Sequence, residues 1–137
     1  MKSLPPSCEQ CFEQYKIALE DLRLFVQQSR NKELSEAYSR ELIANFEVAH
    51  ELALKVIKTY LKKQGKGPFT GSRDLTVEAF HADLIDDGKG WLDMVIDRIQ
   101  YNPIYDLDTQ RNFLDNICHK YIQLLEKFED TMEKKLY

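Results

Sequence analysis

Long apolar runs are missing from this 137-residue sequence. Charged residues recur through every helical stretch, so nothing approaches the roughly 20 apolar residues of a bilayer span, and no membrane anchor is expected. Glycine and proline are scarce, at five and four residues, and they gather at positions 5–6, 65–71, 88–90 and 103. Most chain breaks should fall there. Cysteine is rare and odd in number, at three, and the opening MKSLPPSCEQ has no apolar core of a secretory leader, which argues against a secreted disulfide framework. The expectation is a cytoplasmic protein. An excess of positive charge is also lacking: 19 Lys and Arg stand against 23 Asp and Glu, a net charge of -4, so nucleic acid is not expected as a partner. Strict period-two alternation is absent, as are internal repeats and low-complexity tracts.

What is present reads as helix. With 43% hydrophobic residues the chain suits a single domain, residues 1–137, able to bury its own core. Ser7 followed three residues later by Gln10 has the form of a capping box, and Cys11, Tyr15, Ala18, Leu22 and Phe25 then recur at helical steps to about Gln28. Phe12, Leu19 and Val26 broaden that stripe. After a break at 29–35, Tyr38, Leu42, Phe46, Ala49, Ala53, Val56 and Tyr60 keep the helical period for about six turns. Ile43, His50, Ile57 and Leu61 give this helix a second apolar edge, as expected of a central helix or one lining a dimer interface. Glu51 and Lys55 should pair across one turn of its flank.

Residues 65–74 read as a loop, and a short helix is expected from Asp74 or Thr76 through Val77, Phe80 and Leu84, stopping at Asp86, Asp87 and Gly88. Trp91 to Gln100 forms the next helix, and Asn102-Pro103 forces a turn that presents Ile104 and Tyr105 outside it. Asp106 and Asp108 cap a last long helix to about Lys135, with Leu114, Ile117, Tyr121, Leu124, Phe128 and Met132 as its stripe. The expected fold is all-α: an up-and-down four-helix bundle with an additional short helix.

Chemistry is harder to find. The Walker spacing fails, because Gly65 to Gly71 is the wrong gap and Ser72-Arg73 follows instead of Lys and Ser or Thr. Cys8 and Cys11 with Cys118 and His119 could in principle make four zinc ligands, but Cys11 lies on an apolar stripe and Cys118 lies well inside the last helix. Asp83, Asp86, Asp87, Asp93 and Asp97 fit no EF-hand loop. No metal site and no cofactor are expected, and His50, His81 and His119 read as structural or surface residues. Arg98 stands out. It shares a helix face with Trp91, Met94 and Val95, so its guanidinium points where core side chains point and must meet a carboxylate, a carbonyl or a bound anion. The two readings are an ion pair within the bundle and a contact to an anion or a partner.

Several motifs in order carry a resemblance. Phe46, Glu47, Glu51, Leu52 and Lys55 on the second helix, Ser72-Arg73-Asp74 with Glu78-Ala79-Phe80, Leu84-Ile85-Asp86-Asp87-Gly88, and Trp91-Leu92-Asp93-Met94 are similar to the bacterial nucleotidyltransferase substrate-binding proteins, from about Phe12 to the final helix. The resemblance implies a bundle related to the C-terminal domain of kanamycin nucleotidyltransferase and to the broad HEPN group. It also implies a homodimer that pairs with a separately encoded minimal nucleotidyltransferase, as a toxin-antitoxin-like module. The catalytic carboxylates would belong to that partner, and this chain would be a non-catalytic subunit. By the same resemblance Glu47, Glu51 and Lys55 with Asp86, Asp87, Trp91 and Arg98 would line or support a substrate or partner cleft. Arg98 to Asp106 aligns with the HEPN arginine, four residues, histidine segment, but Ile99 replaces an Asn and Pro103 stands where the His belongs. An HEPN-type ribonuclease is therefore the disfavoured alternative, since proline cannot move a proton, and a solitary helical interaction protein is the third. Tyr105 occupies the place of a tyrosine that receives AMP from the partner in related toxins, which makes it a candidate modification or contact residue.

Overall fold

The computed structural model describes residues 6–30 and 35–137, and these contain helices and no strands. Helix α1 spans Cys8–Ser29 and opens with the expected reciprocal cap: Ser7 Oγ accepts from the Gln10 N–H at 3.1 Å, and Gln10 Oε1 accepts from the Ser7 N–H at 2.9 Å. Helix α2 spans Glu36–Lys63 and is capped by Ser35, whose hydroxyl accepts from the Tyr38 N–H at 3.1 Å. The two run antiparallel. Tyr38 Oη donates to the Phe25 carbonyl at 2.6 Å near one end, and Cys8 Sγ reaches the Val56 carbonyl at 3.6 Å near the other. Gly65, at φ +78°, ends α2 by letting the Lys66 N–H bond back to the Leu61 carbonyl at 3.1 Å and its own to the Lys62 carbonyl at 3.0 Å.

Helix α3 spans Ser72–His81, beginning earlier and stopping earlier than the sequence suggests. Asp74 is not its cap: its carboxylate accepts from the Thr70 N–H at 3.0 Å while Asp74 itself lies inside the first turn. The stop at His81 has a backbone cause. Asp83 takes the left-handed conformation at φ 60°, and the Leu84 and Asp83 N–H groups close on the Ala79 and Phe80 carbonyls at 3.0 and 3.2 Å. The face is also different, since Leu75, Thr76 and Ala79 are buried while Val77 and Phe80 are 39% and 46% exposed. Helix α4 spans Gly88–Gln100, capped by Asp87 through the Gly90 N–H at 2.9 Å.

The last rod is not one regular helix. A 3-10 turn at Leu107–Gln110 leads into α5, Arg111–Asn116, then a π-helical segment at Ile117–Tyr121, then α6, Ile122–Leu136. A π turn takes an extra residue, which rotates the side chains beyond it. Of the expected stripe, Ile117, Tyr121, Phe128 and Met132 are buried and Leu114 and Leu124 only half-buried, while Phe113, Cys118, Ile122 and Leu125 join the core.

This rod lies antiparallel to α1, with Ser29 against Cys118 and Glu13 against Tyr137. It lies antiparallel to α4 as well, with Trp91 against Phe128 and Tyr101 against Phe113. The four long elements therefore alternate up and down around one core, and α3 packs at the α2–α4 side. Aromatic contacts tie the layers: Phe46 stacks on Tyr121 at 5.4 Å, and the Phe128 ring takes the edges of Trp91 at 5.3 Å and Tyr15 at 5.5 Å. Pairs of this geometry contribute about 0.5–1.5 kcal/mol beyond burial. Tyr15 satisfies its buried hydroxyl by donating to the Leu125 carbonyl at 2.6 Å. No described helix is long and apolar enough to cross a membrane.

The start of α4 offers a sharp test. A Cβ at Gly90 would sit 2.6 Å from Asp87 Oδ2 and 2.8 Å from Leu124 Cδ1, whereas one at Gly88 would meet only the exposed Phe80 ring at 3.2 Å. Gly90→Ala should lower stability by about 1–3 kcal/mol, and Gly88→Ala should change it by less than about 1 kcal/mol. Urea unfolding followed by Trp91 fluorescence reads both, and equal losses would contradict this packing.

Candidate functional site

Helices α2, α3 and α4 meet around a cleft of about 500 Å³. Leu54, Leu75 and Val95, at 7%, 6% and 2% exposure, form its apolar floor. The α2 side brings Glu47, His50, Glu51, Lys55 and Lys58 to it at steps of three and four, which is one face of the helix. From α4 comes Arg98, and from α3 comes Ser72.

Arg98 is the centre of the polar wall. Its Nη1 donates to Glu51 Oε2 at 3.0 Å and to His50 Nδ1 at 3.1 Å, and its Nε lies 3.9 Å from Glu47 Oε2. The guanidinium thus meets three groups at positions 47, 50 and 51 of one α2 face. Glu51 pairs with Arg98 and not with Lys55 as expected, because a charge drawn out of water gains more from a carboxylate than an exposed lysine does. His50 is buried, and burial first and the Arg98 charge second lower its pKa to about 3. It is therefore the neutral imidazole. A guanidinium has only donors, so Nδ1 is the acceptor and the proton sits on Nε2. Neither His50 Nε2 nor Arg98 Nε has a hydrogen-bond partner among the described residues.

Of the residues singled out from the sequence, Glu47, Glu51, Lys55 and Arg98 come together here. Asp86, Asp87 and Trp91 do not. Trp91 is 2% exposed, with its ring 6.1 Å from that of His50, and it lines a separate cavity of about 80 Å³ together with Asp86 and Lys127, which are ion-paired. Asp87 is spent on the α4 cap. Tyr105 lies in the turn after α4, 57% exposed. That turn is held from α2 by Arg40, which donates to the Pro103 carbonyl at 3.0 Å and the Tyr105 carbonyl at 3.3 Å.

The structure adds residues that the sequence reading passed over. Lys58 and Ser72 reach the cleft, and Lys58 was legible as one turn beyond Lys55 on the same face. The role of Arg40 had no sequence signal, since its partners are backbone carbonyls 63 and 65 residues away. The cysteines are spread along α1: Cys8 lies at its start beside Val56, and Cys118 packs against Ser29 at its end. Burial raises the pKa of both thiols. Among the described residues no three His, Cys, Asp or Glu side chains gather as metal ligands.

Comparison with known families gives one finding. The family described as nucleotidyltransferase substrate binding protein like matches residues 10–134. No curated protein matches significantly.

The buried imidazole predicts an acid-sensitive stability. The folded pKa of His50, about 3, lies below its ordinary 6.5, so its contribution is complete above pH 6.5 and is lost as pH falls toward 3. By pH 5 that loss should amount to about 2 kcal/mol. Urea midpoints at pH 7.5 and pH 5 should therefore fall further for the natural chain than for His50→Gln, whose amide oxygen can accept from Arg98. An identical fall in both chains would remove His50 from this account.

Proposed function

The chain belongs to the nucleotidyltransferase substrate binding protein like family, and on that premise we propose that it is a non-catalytic subunit that docks a separately encoded minimal nucleotidyltransferase. Its cleft then forms part of the site where the acceptor substrate is held, and the partner supplies nucleotide chemistry and metal. The observation that carries this reading is the family match across the bundle, supported by an open cleft with charged walls and an apolar floor in the middle of the matched region. The subunit is a cytoplasmic homodimer in this reading. Val48 and Ile99, 54% and 66% exposed, flank the cleft on α2 and α4 and supply apolar surface for a second copy. Tyr105 is the candidate acceptor for AMP. The support is its exposure, together with a hydroxyl that bonds to nothing among the described residues.

The test is co-expression with a minimal nucleotidyltransferase, taken from beside this chain's gene where one is encoded there, followed by mass spectrometry of the purified complex. A stable complex is expected, and in the presence of ATP this chain should gain the mass of one AMP. Tyr105→Phe should abolish that gain while leaving the complex intact. Failure of a well-folded nucleotidyltransferase to bind would overturn the subunit reading, and labelling that persists in Tyr105→Phe would remove Tyr105 from it.

A further inference from the structure

Lysine is distributed unevenly on this acidic chain. Lys55, Lys58 and Lys62 recur at steps of three and four along one side of α2, and Lys66, in the turn after Gly65, lines the same cavity as Lys58 and Lys62. None of the four forms an ion pair among the described residues, although Lys63 on the neighbouring face bonds Glu9 at 3.1 Å. Arg73, in the first turn of α3, is likewise without one. The carboxylates that could have compensated them are engaged elsewhere: Glu47 and Glu51 with Arg98, and Asp74 with Thr70. Like charges one turn apart repel. Together they make a run of exposed positive charge to which an anion would be drawn.

Two cavities open along this stripe and share Lys58. One is the cleft described above, where Ser72 begins α3 with no side-chain cap from Gly71 and with the Asp74 carboxylate already in its first turn. The other holds about 350 Å³ between Lys58, Lys62 and Lys66 and a turn made by Gly67, Pro68 and half-buried Phe69. It therefore joins three cations to an apolar, partly aromatic wall. Lysines four apart on a helix are spaced by about 6 Å along its axis, which matches the reach of a short phosphate chain.

We propose that this lysine face binds a nucleoside polyphosphate, with phosphates along Lys66, Lys62 and Lys58 toward the start of α3 and the base against Pro68 and Phe69. Aromatic rings take bases by stacking and lysines take phosphates as point charges. The assignment of the ligand as the donor nucleotide of the partner's reaction rests on the subunit reading above, whereas the anion site itself does not.

Calorimetric titration of the full chain with ATP, tripolyphosphate and adenosine tests the proposal. ATP should bind saturably, tripolyphosphate about tenfold more weakly for want of a base, and adenosine without measurable heat. Lys58→Gln with Lys62→Gln should weaken ATP binding about tenfold or more, with an unchanged melting temperature. Lys134→Gln with Lys135→Gln alters net charge equally at the far end of α6 and should leave binding intact. Phe69→Ala should reduce ATP to the level of tripolyphosphate. No saturable ATP binding, or equal weakening by the two lysine pairs, would overturn the proposal; tripolyphosphate binding as tightly as ATP would overturn the base pocket. Because docking of the nucleotidyltransferase is read separately by co-purification, a chain that docks but takes no ATP defeats this inference alone.

Discussion

A guanidinium placed on the core-facing side of α4 has to be neutralised, and the α2–α4 half of the bundle follows from how that is done. Arg98 cannot give up its proton, and leaving it unpaired away from water would cost several kcal/mol. Helix α2 answers with Glu47, His50 and Glu51, one helical turn of a single face. The pairing is a constraint more than a large source of stability, since desolvation offsets much of the Coulomb gain. Its value lies in register: a shift of α2 by one residue would carry both carboxylates away from the guanidinium. It also holds His50 neutral, because a second cation beside Arg98 in a buried site would be expensive. And it takes Glu51 away from Lys55, which, like Lys58 and Lys62 farther along α2, has no ion-pair partner among the described residues, whereas Lys63 pairs with Glu9.

The other flank of α4 is held with the opposite sign. Asp93 and Asp97, one turn apart, face the last rod, where Asp93 meets Lys120 at 3.0 Å and Asp97 accepts from Tyr121 Oη at 2.5 Å and Asn116 Nδ2 at 3.2 Å. Burial first, and then the bond to Asp97, push the Tyr121 phenol well above its ordinary pKa, so it stays a donor. Both Lys120 and Tyr121 belong to the π-helical segment. The irregular segment thus carries both residues that grip α4, and Tyr121 also stacks on Phe46.

How much of this could be read from sequence depended on whether a feature was local. The Ser7 cap, the stripes of α1 and α2, the turn at Asn102-Pro103 and the all-α bundle were legible, because capping partners and 3.6-residue periodicity lie within a few positions of one another. The bounds of α3 were not, since a left-handed Asp83 carries no reliable sequence mark and its closure depends on backbone bonds. The stripe of the last helix was legible at Ile117, Tyr121, Phe128 and Met132, but its π turn was not, nor was the burial of Leu125 in place of Leu124. For the cleft, the α2 residues share a face and could be grouped in advance. Asp86 and Trp91 looked equivalent to them in a motif, yet α4 turns Trp91 into the core and a turn sends Asp86 to Lys127, so both line a separate cavity away from the α2 residues.

The substitution of Pro103 acquires a physical meaning from the same geometry. In an HEPN nuclease the arginine must be free to meet phosphoryl charge while a nearby histidine moves a proton. In this chain Arg98 is held by two carboxylates, and Pro103, which the resemblance to that motif aligns with the histidine, has a carbonyl that accepts from Arg40. The one imidazole beside Arg98 is His50, and it is not a substitute. Its Nδ1 is occupied by the guanidinium, and burial first and the Arg98 charge second favour its neutral form. An arginine without its histidine still has a task in this fold, which is to set α2 against α4. Its presence therefore does not by itself argue for nuclease chemistry.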